Sequence, residues 1–254
     1  MSHVVEHDDQ PLHARLWQHA PRLAAVHIAL VISFGLALDA VFGWPGQYAA
    51  ITWTVCVWAW LYKNGGTDER RVLILCTLIA GLGEVMLSLV WGLYDYQFAN
   101  VPLFVPPGHA LLMTLGLITS HKMLKHEYGR AFQAIFPWCA FIYAGFAWGI
   151  GFDAFGAALF MVFGVCMIFG RARMLYATMF VLALAMELYG TALGNWTWVG
   201  ITPGLGITSA NPPFSAGALY CLLDLLVLGA MKLLSGNRAI ARAPASAGES
   251  PAQQ

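Results

Sequence analysis

Residues 72–94 read VLILCTLIAGLGEVMLSLVWGLY, which is 23 residues with a single charge, Glu84. A helix rising about 1.5 Å per residue needs about 20 apolar residues to cross ~30 Å of hydrocarbon. The stretch therefore predicts a membrane-spanning helix with a carboxyl group near its middle. The same reading places further apolar spans at about 24–43, 46–62, 105–121, 133–150, 153–170, 174–194 and 213–233. The expected fold is an all-α polytopic membrane protein of about eight transmembrane helices.

Composition agrees with the spans. Of 254 residues, 59% are hydrophobic and 10% are charged. Soluble domains carry about 25% charged residues, so this chain cannot cover a globular surface with water-binding groups. Its net charge is zero, which points to no nucleic-acid or acidic partner. The early acids Glu6, Asp8 and Asp9 are unlike the basic start of a cleavable signal peptide, so the first apolar helix is expected to direct insertion itself. Cys56, Cys76, Cys139, Cys166 and Cys221 each stand alone in an apolar run and read as small buried hydrophobes.

Charge also orients the spans. With eight helices and an inner N-terminus, all 13 Lys and Arg residues fall on the cytoplasmic side, and the outer connections hold none. Both termini are therefore expected in the cytoplasm, with the plasma (inner) membrane as the location. Residues 1–22 read as a cytoplasmic tail, in which Leu12, Leu16 and Trp17 would lie at the interface. Residues 122–132 read as a basic cytoplasmic loop, and 235–254, rich in Ala, Pro, Ser and Gln, as a disordered tail.

Residues 23–121 and 133–234 resemble each other as four-helix tandem repeats. In each, a glutamate (Glu84, Glu187) is followed two turns on by a glycine and then by aromatics spaced i, i+2: Tyr94 and Tyr96, Trp196 and Trp198. Each segment leads to a Pro-Pro pair, Pro106-Pro107 or Pro212-Pro213, that opens the next helix. Asp39-Ala-Val-Phe-Gly43 is matched by Asp153-Ala-Phe-Gly156. Four helices per half would give the halves one orientation about an axis along the membrane normal, with a site at their interface.

Ionisable groups inside hydrocarbon are costly, and functional hypotheses start with them. Glu84, Glu187 and Asp224 all fall near the middle of their spans and are expected to line one polar cavity, with Glu84 and Glu187 as acid and base. Asp224 and His109, which stands behind the helix-opening Pro-Pro-Gly, would tune them; the position matching His109 in the second half is about Ser215, so its role would be asymmetric. Tyr94, Tyr96, Asn195, Trp196 and Trp198 would line the substrate, where π-faces stabilise a cation. The bland readings are acids that pin helices together and aromatics that form a belt at headgroup level. No His or Cys pattern has metal-ligand spacing, and neither a metal nor another cofactor is implied.

Glu187 also opens E-x-x-G-T-x-x-G, followed by alternating aromatics and a Pro-bounded helix. With Val101-Pro-Leu-Phe-Val-Pro106, this resembles membrane carotenoid-biosynthesis proteins of the bacterioruberin-type hydratase family, over about 40 residues. The spacing from Gly194 to the aromatics is shorter here, and the acid motif occurs in both halves. The resemblance implies isoprenoid chemistry, with Glu187, Trp196 and Trp198 in the site. The leading expectation is a membrane enzyme that hydrates or cyclises a lipophilic alkene, a lyase or isomerase type. Its partners would be the bilayer and a lipophilic small molecule, with homo-oligomerisation left open. The rival readings are a small proton-coupled transporter and a non-catalytic membrane scaffold or assembly protein.

Overall fold

The computed structural model describes residues 12–17 and 22–241. A short helix α1 (Leu12–Arg15) precedes α2 (Arg22–Phe42), α3 (Trp44–Asn64) and α4 (Thr67–Glu84), which continues as a π-helical turn over Val85–Val90. Strand β1 (Tyr94–Tyr96) leads to α5 (Val105–Leu124), α6 (Glu127–Gly149), α7 (Ala154–Phe169) and α8 (Arg173–Leu193). Strand β2 (Trp196–Trp198) and α9 (Gly217–Ala241) complete the chain.

Five helical stretches are long and apolar enough to cross a membrane: Arg22–Phe42, Thr67–Val90, Glu127–Gly149, Arg173–Leu193 and Gly217–Leu234. Their outward faces are apolar too. On α6, Trp138, Ile142 and Phe146 are each more than 60% exposed, and on α7 so are Met161, Ile168 and Phe169. A surface of that kind aggregates in water and is the expected surface in lipid. The fold is that of a membrane-embedded helical protein. Helix α7 has 16 residues, while α3 and α5 have 21 and 20 with less apolar sequence. For α5 the reason is its place. It packs on α2, α3, α4, α6 and α8, so little of it needs to dissolve in lipid.

Several boundaries move. Helix α6 begins at Glu127, within the expected basic loop, and α9 begins at Gly217 rather than 213. Helix α9 also runs to Ala241, so residues 235–241, expected to be disordered, are helical. The rest of that tail, 242–254, and residues 1–11 and 18–21 of the N-terminal tail lie outside the described residues. Leu16 and Trp17 are buried instead of interfacial. Glu69 explains the position of Trp17: its Oε2 accepts from the Gly66 N–H at the start of α4 (2.6 Å), and its Oε1 accepts from the Trp17 N–H (2.9 Å).

The connections after α4 and after α8 meet. Strands β1 and β2 pair antiparallel, Tyr94 opposite Trp198, Asp95 opposite Thr197 and Tyr96 opposite Trp196. Successive side chains of a strand point to opposite faces. The four large aromatics therefore turn into the bundle, while Asp95 and Thr197 face out. Asn195 locks this ribbon to α2, its Nδ2 donating to Leu36 O (3.0 Å) and Asp39 Oδ2 (2.8 Å). Removing a buried donor from two acceptors costs about 1–3 kcal/mol. Asn195→Ala should lower the thermal stability of the detergent-solubilised protein by that amount; an unchanged unfolding temperature would show that the ribbon is held elsewhere.

Candidate functional site: paired carboxylates on a lipophilic cavity

Glu84 is the last residue of α4 before the π-turn. A π-turn holds an extra residue, and such turns are frequent at functional sites. Here it precedes the short return that brings β1 back over α4. Glu84 Oε2 accepts from the hydroxyls of Tyr94 (2.8 Å) and Tyr96 (2.6 Å). Its Oε1 lies 3.2 Å from His109 Nε2 in the first turns of α5. Burial, with the Glu84 carboxylate beside them, pushes both tyrosine hydroxyls well above their usual range, so they remain O–H donors.

Glu187 on α8 has a matching set. Its Oε2 accepts from the indole N–H groups of Trp196 (2.8 Å) and Trp198 (3.1 Å), and its Oε1 from the Tyr220 hydroxyl on α9 (2.9 Å). Thus each glutamate takes two donors from its own strand and a third from the helix that follows. The third donors touch: the His109 and Tyr220 rings stack at 4.8 Å with 4° between their planes. Across the strands, Tyr94 also packs on Trp198 at 4.6 Å.

Donor chemistry separates the two acids. An indole N–H can only donate, so Glu187 Oε2 acts as an acceptor toward two fixed donors. His109 differs. Its Nδ1 is 2.9 Å from the Val105 carbonyl, which can only accept, so that nitrogen carries the hydrogen. In a neutral ring Nε2 is then an acceptor facing Glu84 Oε1, a place where a proton on either group would make a hydrogen bond. Every hydrogen bond of Glu187, by contrast, is made by a donor outside it.

Both glutamates, 6% and 5% exposed, open on one cavity of about 270 Å³. His109, Tyr220, Tyr94, Tyr96, Trp196 and Trp198 complete its polar end, and most of the remaining wall is aliphatic, from α2, α3, α4, α5 and α9. Helices α6 and α7 contribute nothing to it.

The sequence expectations sort unevenly against this geometry. Glu84, Glu187, His109 and the four aromatics come together as expected. The aromatics are no headgroup belt, since each is at least 92% buried. Asp224 is a correction. It is fully buried, yet it does not line the cavity, and neither oxygen has a hydrogen-bond partner among the described residues. Asn195 is a second correction. Its amide donates to Leu36 O and Asp39, behind the wall, and Asn195 itself does not line the cavity. At Ser215, the position matching His109, the buried hydroxyl has no hydrogen-bond partner among the described residues, and Tyr220 gives Glu187 its third donor instead. A tyrosine within an apolar span, one turn before Asp224, was the available sign of that role.

Asp39 and Asp153, the matched aspartates, are structural. Asp39 accepts from Gln47 (3.1 Å) and Asn195, while Asp153 caps α7 and accepts the backbone N–H groups of Gly156, Ala210 and Phe214. Cys76, Cys166 and Cys221 are buried as read, whereas Cys56 and Cys139 are exposed. No family model, curated protein or solved structure matches the chain.

Two outcomes follow. A Cβ at Gly190 would collide with the Trp196 ring. Gly190→Ala should displace an indole donor from Glu187 and destabilise the fold by about 1–3 kcal/mol, read as a lower unfolding temperature and altered tryptophan fluorescence. Asp224→Asn removes no hydrogen bond, so it should leave folding and the cavity unchanged. A loss of whatever activity Glu84→Gln abolishes would place Asp224 back in the chemistry.

Proposed function

We propose that the chain is a membrane enzyme that protonates a lipophilic alkene, with Glu84 and His109 as proton source and Glu187 as the ionised acceptor. The observation that carries this is the convergence of both glutamates on one lipophilic cavity in different hydrogen-bonding states. Two carboxylates whose surroundings separate their protonation supply a general acid and a general base.

In hydration, the proton between Glu84 and His109 adds to one alkene carbon and leaves a cation at its neighbour. The faces of Tyr94, Tyr96, Trp196 and Trp198 and the Glu187 charge stabilise that cation. A water oxygen bonds to the cationic carbon and its proton passes to Glu187. The cycle closes when water in the cavity carries that proton from Glu187 back to Glu84. In cyclisation, a second double bond attacks the cation and Glu187 removes the final proton. Neither route consumes a redox cofactor. The resemblance around Glu187 favours an isoprenoid of carotenoid type as the alkene.

The same proposal includes eight spans, both termini on the cytoplasmic side of the inner membrane, and an ancestral duplication of a four-helix unit. The one-sided Lys and Arg residues support the orientation. The matched glutamate, strand and third-donor sets support the duplication.

The test compares lipid extracts by mass spectrometry from carotenoid-producing cells that express the native chain or Glu84→Gln/Glu187→Gln at equal membrane levels. A species heavier by one water, or an isomer of changed retention, should appear with the native chain only. Losing one acid–base partner costs about 10²–10⁴-fold, so Glu84→Gln alone should reduce the product at least ~100-fold. Identical extracts would remove the isoprenoid reading. Loss of pH-dependent flux in liposomes would then favour a transporter, and full retention of cellular function by both Gln variants a scaffold.

A further inference from the structure

The cavity is polar at one end only. Away from the glutamates its wall follows α9 from Leu219 through Leu222 and Leu223 to Leu226. Those seven residues of helical rise make an apolar arm about 10 Å long. On α4 the facing wall is Ile79, Gly83 and Met86. The two helices pack on each other, and both belong to stretches apolar enough to cross a membrane.

Of all the wall residues, only Met86 and Leu226 are exposed, at 49% and 50%. Both sit on helices with no polar loop residue beside them in the wall. Between them in depth lies Gly83, where an added Cβ would meet nothing within 4 Å. The wall therefore reaches the outer surface of the bundle on its lipid-facing side. At about 270 Å³ the cavity is also smaller than the ~300–1,000 Å³ of pockets that enclose a whole drug-sized ligand.

From this we infer that the cavity is a lateral lipid-binding slot. A single apolar chain enters from the bilayer past Met86 and Leu226, lies along the Leu219–Leu226 arm, and presents its end to Glu84 and Glu187 while its remainder stays in the membrane. The identity of that end as an alkene rests on the proposed function; the slot and its mouth do not.

The experiment uses the full chain in phosphatidylcholine vesicles with two photoactivatable probes, a diazirine-tagged geranylgeraniol and a diazirine-tagged straight-chain fatty alcohol. Adducts are mapped by peptide mass spectrometry. At least one probe should label Gly83, Met86, Leu222 or Leu226 saturably and be displaced by its untagged form. Labelling at Leu82 and Val90, which are more than 60% exposed, should rise linearly with probe as ordinary lipid contact does. Met86→Trp and Leu226→Trp, at surface positions where a large side chain is tolerated, should reduce saturable labelling at least fivefold.

Preference between the probes names the chain as isoprenoid or acyl. Linear labelling at Met86 and Leu226, indistinguishable from Leu82 and Val90, would overturn the slot. So would saturable labelling that neither Trp variant reduces. Glu84→Gln/Glu187→Gln should keep the saturable labelling. Saturable binding together with unchanged lipid extracts would therefore retain the slot and reject the alkene chemistry.

Discussion

A carboxyl group in hydrocarbon must be hydrogen-bonded or neutral, because an unpaired charge there costs several kcal/mol. Much of this end of the bundle follows from meeting that demand twice. Glu84 and Glu187 each need donors that no neighbouring helix face supplies, since most faces toward the cavity are aliphatic. The donors come from chain that leaves the helix, pairs as a strand and folds back over it. The strands are short because two inward side chains per strand are enough. Asn195, Asp39 and Gln47 hold that ribbon down from the side.

How the strands pair decides what the site is. Antiparallel pairing puts Tyr94 opposite Trp198 and Tyr96 opposite Trp196, so donors for the two acids interleave on one face. The acids consequently share a roof of four aromatic rings and a single cavity. Had each strand closed over its own half alone, each glutamate would have been buried separately. The convergence is a consequence of inter-half pairing, which neither half specifies by itself.

The helical, membrane-embedded character and the principal acids were legible because they depend on composition and on position along a helix. Counting residues places Glu84, Glu187 and Asp224 inside apolar helical stretches. It does not give azimuth, and Asp224 failed on azimuth: from Tyr220 it is one turn further along α9 and turned away from the cavity edge that Leu219, Leu222 and Leu226 define. The aromatics failed differently. Their i, i+2 spacing is the period of a strand, but tyrosine and tryptophan near the end of a span also fit a headgroup belt. Burial decides between these, and it depends on a pairing between residues a hundred positions apart. Tyr220 was missed because alignment from the Pro-Pro pairs puts Ser215 opposite His109. In the first half the prolines lie inside the first turn of α5, whereas α9 starts four residues beyond Pro213, which shifts the donor by more than a turn.

That shift matters for the chemistry. Six donors arranged with matched geometry would leave two equivalent acids, and equivalent acids cannot divide donation from acceptance. Four of the six are matched pairs of ring donors on the two strands. Even these differ in chemistry, hydroxyls on Glu84 and donor-only indoles on Glu187, and the third position differs further. A tyrosine hydroxyl there gives Glu187 one more donor, while an imidazole with its Nδ1 on the Val105 carbonyl sets its other nitrogen against Glu84. Because the two rings are stacked, the difference in kind sits at the point where the halves meet. In the proposed chemistry, a nearly symmetric frame would thereby acquire a direction for proton movement, from the Glu84–His109 side to the Glu187 side.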